Sequence, residues 1–287
     1  MKQRTAGILA ALFCLCSCSR HDAVVVGSKN FTEQLVLGEM AAQQLERKLH
    51  IPVQRRLDLG GTLLAHEAIQ KGDIDIYPEY TGTASSVVLK QAVPPDTVRA
   101  YLLVKEEYLK RYGLIWLPPL GFNDTFAMVV RSQDAQKLPA PKLSSANFRQ
   151  WRLGIGYEFL TRPDGLHKLN EAYGLQWEGS PQTMDLGLLY QALRQKQVDM
   201  AAANSTDAAL TDTRFTVLED DKRAFPPYNA CFVVRKSLID QQRPVEMALT
   251  MLSNHIDAET MRRLNRRVEV DHQPVTRVVK EFLATQQ

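Results

Sequence analysis

Ala68-Ile69-Gln70-Lys71-Gly72-Asp73-Ile74-Asp75 has a second version at Ala192-Leu193-Arg194-Gln195-Lys196-Gln197-Val198-Asp199. Each copy is a helix end, a polar stop and the start of a strand. Upstream, Val24-Val25-Val26-Gly27 answers to Leu153-Gly154-Ile155-Gly156, and the turn at Gly60-Gly61 answers to one near Gly187. With Asp75 registered on Asp199, Tyr80 falls opposite Asn204, each at the end of an equivalent strand. A sheet-building unit present twice predicts two lobes that face each other. Ligands of open α/β sheets sit outside the carboxyl ends of the strands, so facing lobes create a cleft there.

The rest of the chain fits this plan. Residues 23–27 read as a buried strand. A loop, 28–32, leads to a helix whose apolar face holds Leu37, Ala41, Leu45 and Leu49, with Asn30 and Glu33 at capping-box spacing. A second strand is expected over 52–59, a helix from Thr62 to Lys71, and a third strand over 74–77 that Pro78 ends. Strands alternating with helices imply a mostly parallel sheet flanked by helices. Pro94-Pro95 precedes a helix ending near Tyr112, and 114–117 is strand-like. The apolar run 125–131 reads as a first crossing between lobes, and 230–235 as the return crossing. Lobe 1 is then 23–127 plus 231–287, with a helical C-terminal part packing on it, and lobe 2 is 128–230. Trp116, Trp151 and Trp177 read as packing residues.

The 287 residues with 45% hydrophobic content suffice for one or two ordinary cores. Thirty-five basic and 32 acidic side chains are well mixed, and no basic run argues for nucleic acid. Lys2 and Arg4 precede a short apolar stretch, 6–15, that is too short to span a bilayer. Leu15-Cys16-Ser17-Cys18, followed by polar residues, resembles a bacterial lipobox. The expectation is a signal peptide at 1–17, lipidation of Cys18 and an anchor linker at 18–22, which holds an exported chain to a membrane without crossing it. Cys14 and Cys16 leave with the leader. Cys231 then remains as a single thiol in an apolar strand, buried and inert, with no internal disulfide possible.

Enzymatic readings find little support. The six histidines show no metal-ligand spacing, and there is no Gly-x-Ser-x-Gly elbow or Walker loop. Gly154-Ile155-Gly156 lacks the third glycine of a dinucleotide loop, and Asp73 with Asp75 reads as a solvated helix-to-strand turn. No cofactor and no metal site is expected.

A series of ordered motifs carries a family resemblance. They are Gly27-Ser28-Lys29-Asn30-Phe31-Thr32-Glu33-Gln34, Leu59-Gly60-Gly61-Thr62, Asp75-Ile76-Tyr77-Pro78-Glu79-Tyr80-Thr81-Gly82-Thr83 and Gly121-Phe122-Asn123-Asp124-Thr125-Phe126-Ala127. Arg162-Pro163-Asp164-Gly165, Ser205-Thr206-Asp207 and Phe225-Pro226-Pro227-Tyr228-Asn229-Ala230 continue it. Together they resemble the substrate-binding proteins of glycine betaine, choline and carnitine ABC importers over essentially the whole mature chain. The resemblance implies a two-lobed, type II periplasmic-binding-protein-like fold joined by two hinge crossings. It also implies a monomer that delivers a quaternary ammonium ligand to a separate permease and, through it, an ATPase.

A trimethylammonium group cannot donate a strong hydrogen bond, so the handle left for a protein is the negative face of aromatic rings, at about 0.5–2 kcal/mol per contact. By the resemblance, the aromatic box falls on Tyr80, Phe126, Asn204 and Tyr228. Asn204 has no ring, and the internal repeat reaches that position independently. One wall is thus polar or open. Either a small quaternary ammonium is held less tightly, or a larger betaine such as carnitine or ergothioneine gains a partner in Asn204 and competes with glycine betaine. Tyr77 or Tyr157 could instead fill the gap. The same resemblance puts Lys29, Thr83 and Arg162 on the ligand carboxylate, with Gln34 a further candidate. A non-transport sensor or scaffold on this fold, with an altered ligand, is the alternative reading.

Overall fold

The computed structural model describes residues 23–286. The signal peptide, 1–17, and the anchor linker, 18–22 with Cys18, lie outside the described residues. The strands are β1 (Val24–Gly27), β2 (Val53–Arg56), β3 (Ile76–Tyr80), β4 (Leu114–Trp116), β5 (Phe126–Arg131), β6 (Gln150–Trp151), β7 (Leu153–Ile155), β8 (Gln176–Trp177), β9 (Gln182–Thr183), β10 (Met200–Asn204), β11 (Phe215–Leu218) and β12 (Ala230–Arg235).

Two five-stranded sheets carry the fold, ordered β2-β1-β3-β12-β4 and β9-β7-β10-β5-β11. In the first, β1 is parallel to β2 and β3, while β12 is antiparallel to both its neighbours. In the second, β7 is parallel to β9 and β10, while β5 is antiparallel to both its neighbours. Four strands of each sheet therefore point one way, and the reversed one belongs to a stretch that carries the chain from sheet to sheet. This is the α/β arrangement expected from the repeat, with both copies sharing order and direction. Phe126 and Ala127 already pair in the second sheet, and Ala230 pairs in the first.

Register places the interesting side chains together. Tyr80 stands opposite Ala230 at the end of β3, and Asn204 stands opposite Phe126 at the end of β10. Both points lie at carboxyl ends of strands, where the two sheets face the space between them.

Four details differ from the expectation, each for a local reason. Pro78 lies inside β3 opposite Phe232, because the parallel ladder to β1 already stops at Ile76 and no donor is needed beyond it. Gly187 lies in the first turn of the helix Leu186–Arg194 instead of forming a turn. The helix Thr32–Leu49 has Phe31 at its N-cap and no side-chain cap, since Glu33 is drawn inward to a tyrosine hydroxyl. Asp75 is no solvated turn residue. It is 6% exposed, takes the Val25 N–H at 2.8 Å and pairs with Arg235 at 2.7 Å.

Alternation along β1 splits the first lobe into two cores. Val24 and Val26 face the helices Thr32–Leu49, Arg243–Thr250, Ala258–Glu269 and Val275–Ala284, and Val25 faces Tyr77, Tyr108 and Trp116. Trp151 anchors one core of the second lobe, and Trp177 is half-buried beside it. The helix Ala258–Glu269 also reaches the second lobe, where Arg262 and Asn265 donate to the carbonyls of Ser205 and Thr206 at 2.8 and 3.0 Å. Cys231 is buried, and burial pushes its thiol well above the ordinary range. No helix among the described residues is long and apolar enough to cross a membrane.

Candidate functional site

Where the chain crosses between lobes, aromatic rings gather around one guanidinium. Phe126 and Tyr228 meet edge to face with centroids 5.6 Å apart, and Phe159 and Phe225 stand 4.9 and 5.6 Å from Phe126. The Arg162 Cζ lies 5.1 Å from the Phe126 centroid and 5.4 Å from that of Tyr228. Arg162 is fixed by a two-pronged pair with Asp164, at 2.9 and 2.8 Å, and reaches across to the Thr83 hydroxyl at 3.4 Å. Tyr228 donates its hydroxyl to the same carboxylate at 2.5 Å and accepts from Arg162 at 3.3 Å. Burial alone would raise the Asp164 pKa, but Arg162 and Tyr228 outweigh it and hold the carboxyl below its ordinary range. Gly82 is required here, because a Cβ would come within 2.5 Å of the Tyr228 ring.

A second neighbourhood adjoins the first. Lys29, 3% exposed, bonds Glu79 at 2.5 Å and lies 5.1 Å from the Tyr80 ring centroid. Glu79 also accepts the Tyr80 N–H at 2.7 Å. Burial raises the Glu79 pKa, and the Lys29 ammonium opposes that rise. The Tyr80 hydroxyl donates to Glu33 at 2.6 Å, and its ring stacks on Phe31 at 6.4 Å. Fully buried Gln34 accepts the Lys29 N–H at 3.3 Å.

Phe126, Tyr228, Arg162 and Thr83 thus form one cluster, Tyr80, Lys29 and Gln34 the next, and half-buried Asn204 sits beside Phe126 across the β10–β5 ladder. Neither Tyr77 nor Tyr157 takes over the place of the missing ring. Tyr77 is sealed in the core under β3, and Tyr157 is 70% exposed. Arg162 and Lys29, expected on a ligand carboxylate, are each paired with a buried acid.

Several residues of the site escaped the sequence reading: Glu79, Asp164, Phe159, and the acids Glu33, Asp124 and Asp207. The one available signal was Glu79, a carboxylate placed between apolar residues of a strand buried along its whole length. Burial also governs the remaining acids. It pushes Glu33 to about 7, against hydrogen bonds from Thr206, Tyr80 and Asn265, and it pushes Asp207 to about 7, helped by nearby Asp124. Among the described residues, no group of His, Cys, Asp and Glu side chains is placed to hold a metal ion.

The sequence and the fold are similar to those of known proteins. A model of the substrate binding domain of ABC-type glycine betaine transport systems matches residues 22–285. The ergothioneine transport permease/ergothioneine binding protein of Helicobacter pylori is 35% identical over 264 residues, covering 91% of this chain and 47% of that protein. This chain therefore spans about half the length of that relative. The glycine-betaine-binding protein of Pseudomonas aeruginosa is 33% identical, covering 97% of this chain and 91% of its own length. A crystal structure of a glycine betaine/carnitine/choline ABC transporter superposes with a TM-score of 0.81 at 27% identity, covering 91% of this chain and 98% of that one. The two-lobed fold is accordingly the type II periplasmic-binding-protein fold. The chain belongs to the family of substrate-binding domains of ABC-type glycine betaine transport systems, which are solute-binding proteins and not enzymes.

Proposed function

We propose that this chain captures a trimethylammonium betaine between its lobes and hands it to a membrane permease. The observation that supports the reading is the guanidinium seated over Phe126 and Tyr228, a cation held on two aromatic faces at the junction of the lobes. A trimethylammonium group suits the same faces, since its charge is diffuse and needs no hydrogen-bond acceptor. With the ligand in place, Arg162 turns to the ligand carboxylate together with Thr83 and Lys29, and Tyr80 forms a further wall. Gln34 orients the loop that carries Lys29. The lobes, 23–127 with 231–287 and 128–230, swing about the two crossings. The named ligands of the relatives, ergothioneine and glycine betaine, set the range of candidates.

Calorimetric titration with glycine betaine, carnitine, ergothioneine and choline tests this. At least one is expected to bind, and Phe126→Ala or Tyr228→Ala is expected to weaken it by about 3- to 30-fold, the equivalent of one lost cation–π contact. Binding of none of the four would refute the reading. In the same reading the chain is exported, monomeric and anchored through a lipid on Cys18. Cys18→Ala is then expected to move it from the membrane fraction to the soluble fraction, and unchanged sedimentation with membranes would count against the anchor.

A further inference from the structure

The place where the third ring is missing is lined by acids. Asp207 accepts the Asn204 N–H at 3.1 Å and the Tyr190 hydroxyl at 2.9 Å, both on Oδ2. Asp124, two residues before Phe126, accepts the Thr206 hydroxyl at 2.7 Å on Oδ1. Glu33 uses both oxygens, one for the Tyr80 hydroxyl at 2.6 Å and one for the Asn265 amide at 3.2 Å. The three acids come from the first helix of lobe 1, from the crossing and from the loop after β10. Among the described residues none of them has a basic partner within ion-pair distance. The cation nearest in influence, Lys29, is already engaged by Glu79. Glu269, on the helix Ala258–Glu269, adds negative charge toward Asp207.

Two further observations show a polar network with members missing. Buried Asn265, 2% exposed, leaves its Oδ1 without a partner while its Nδ2 serves Glu33 and Thr206. Buried Gln34 brings its Nε2, an N–H donor, near the Tyr80 hydroxyl without reaching good hydrogen-bond geometry. Unpaired buried polar atoms are uncommon in native proteins and mark a place for water or ligand. Asp124 and Asp207 are half-buried, and no hydrogen bond among the described residues reaches their second oxygens. A trimethylammonium group cannot satisfy the oxygens among these atoms, because it has no N–H to give. A hydroxyl or a ring N–H can.

We propose that Asp124 and Asp207, flanking Asn204, form a subsite for a hydrogen-bond-donating substituent on the ligand. The chain then selects trimethylammonium betaines that carry an O–H or N–H group over those that carry none. This rests on the trimethylammonium reading above and adds the part of the ligand that reading leaves open. A site built around acceptors that a bound ligand shuts off from water discriminates against an analogue without the donor, since the acceptors are then left unpaired.

The test compares glycine betaine, which has no such donor, with carnitine and ergothioneine, by calorimetry on the full mature chain. Carnitine or ergothioneine is expected to bind at least about tenfold tighter than glycine betaine. Asp124→Asn and Asp207→Asn are each expected to pull that ratio toward one, and Asn204→Tyr to reverse it by restoring a ring. Thermal melts identify any variant that fails to fold, in which case the ratio in the others decides. Equal binding of glycine betaine and the donor-bearing ligands, or a ratio unmoved by these changes in folded variants, overturns the subsite and leaves the trimethylammonium reading standing. Absence of binding by these three and by choline overturns both.

Discussion

Arg131→Met is expected to lower the free energy of unfolding by about 3–5 kcal/mol, whereas the repeat-equivalent Arg235→Met is expected to cost about 1 kcal/mol or less. Arg131 closes β5 and is 9% exposed. It bonds Asp134 at 2.7 Å and Asp199 at 2.6 Å, and donates to the carbonyls of Leu193 and Val198 at 2.9 and 2.7 Å. Without it, two carbonyls lose a donor and two buried acids keep only Lys137 and Arg152 on the solvent side. Arg235 plays the same part for Asp75, but its side chain is 34% exposed and Asp75 retains the Val25 N–H. Water can replace Arg235 where it cannot replace Arg131. Denaturant titration of both variants at neutral pH reads the difference directly, provided the slope with denaturant stays constant. Equal losses would mean that burial does not set the strength of these pairs.

The Arg131 contribution also has a pH signature. Burial would raise the Asp199 pKa, but Arg152 and Arg131 overcome it and hold the carboxyl well below the ordinary range. A group with a depressed folded pKa stabilises the fold above its unfolded value, about 4, and loses that contribution as pH falls through the folded value. The gap between the native chain and Arg131→Met therefore narrows in strong acid.

These arginines also show what a linear reading can and cannot reach. The repeat was legible at 68–75 and 192–199 because a helix stop followed by a strand start leaves a mark in consecutive residues. Its other half, Val129-Val130-Arg131 against Val233-Val234-Arg235, lies in the two reversed strands, far from the parallel unit in both copies. Only the sheet order makes the two stretches equivalent. Pro78 was misread for a related reason: whether a strand tolerates proline depends on where the neighbouring ladder stops, which is a property of the partner strand. In the site, Tyr80, Phe126, Tyr228 and Arg162 could be picked out because they stand in ordered motifs. Their acid partners could not. Glu79 meets Lys29 across fifty positions of sequence, and Glu33 looked like a helix cap until its carboxylate proved to be held by Tyr80 and Asn265. An acidic residue in sequence is read as surface, and burial is known only from the fold.

Burial of those acids leads to the second large effect, a stability optimum on the acid side of neutral. Glu33 is displaced from 4.5 to about 7 and Asp207 from 3.8 to about 7, both chiefly by burial, and Asp124 is raised in the same sense. Unfolded, these carboxyls release their protons near pH 4; folded, two of them hold on until about 7. Between those limits the folded chain binds more protons, so stability falls as pH rises. At about 1.4 kcal/mol per decade, the displacement of Glu33 alone amounts to at most about 3 kcal/mol. Below pH 4 the opposite term takes over, as Asp134, Asp164 and Asp199 lose their ion pairs. The melting temperature of the ligand-free chain should then peak near about pH 5 and drop by about 5 °C or more by about pH 8. Glu33→Gln and Asp207→Asn remove the titrating groups, so each should raise the melting temperature at pH 8 relative to its value at pH 5 and flatten the profile. A native profile that climbs steadily from pH 5 to pH 8 would show that these acids keep solvent or a counter-ion in the folded chain, and that their enclosure between the lobes is not what sets their charge.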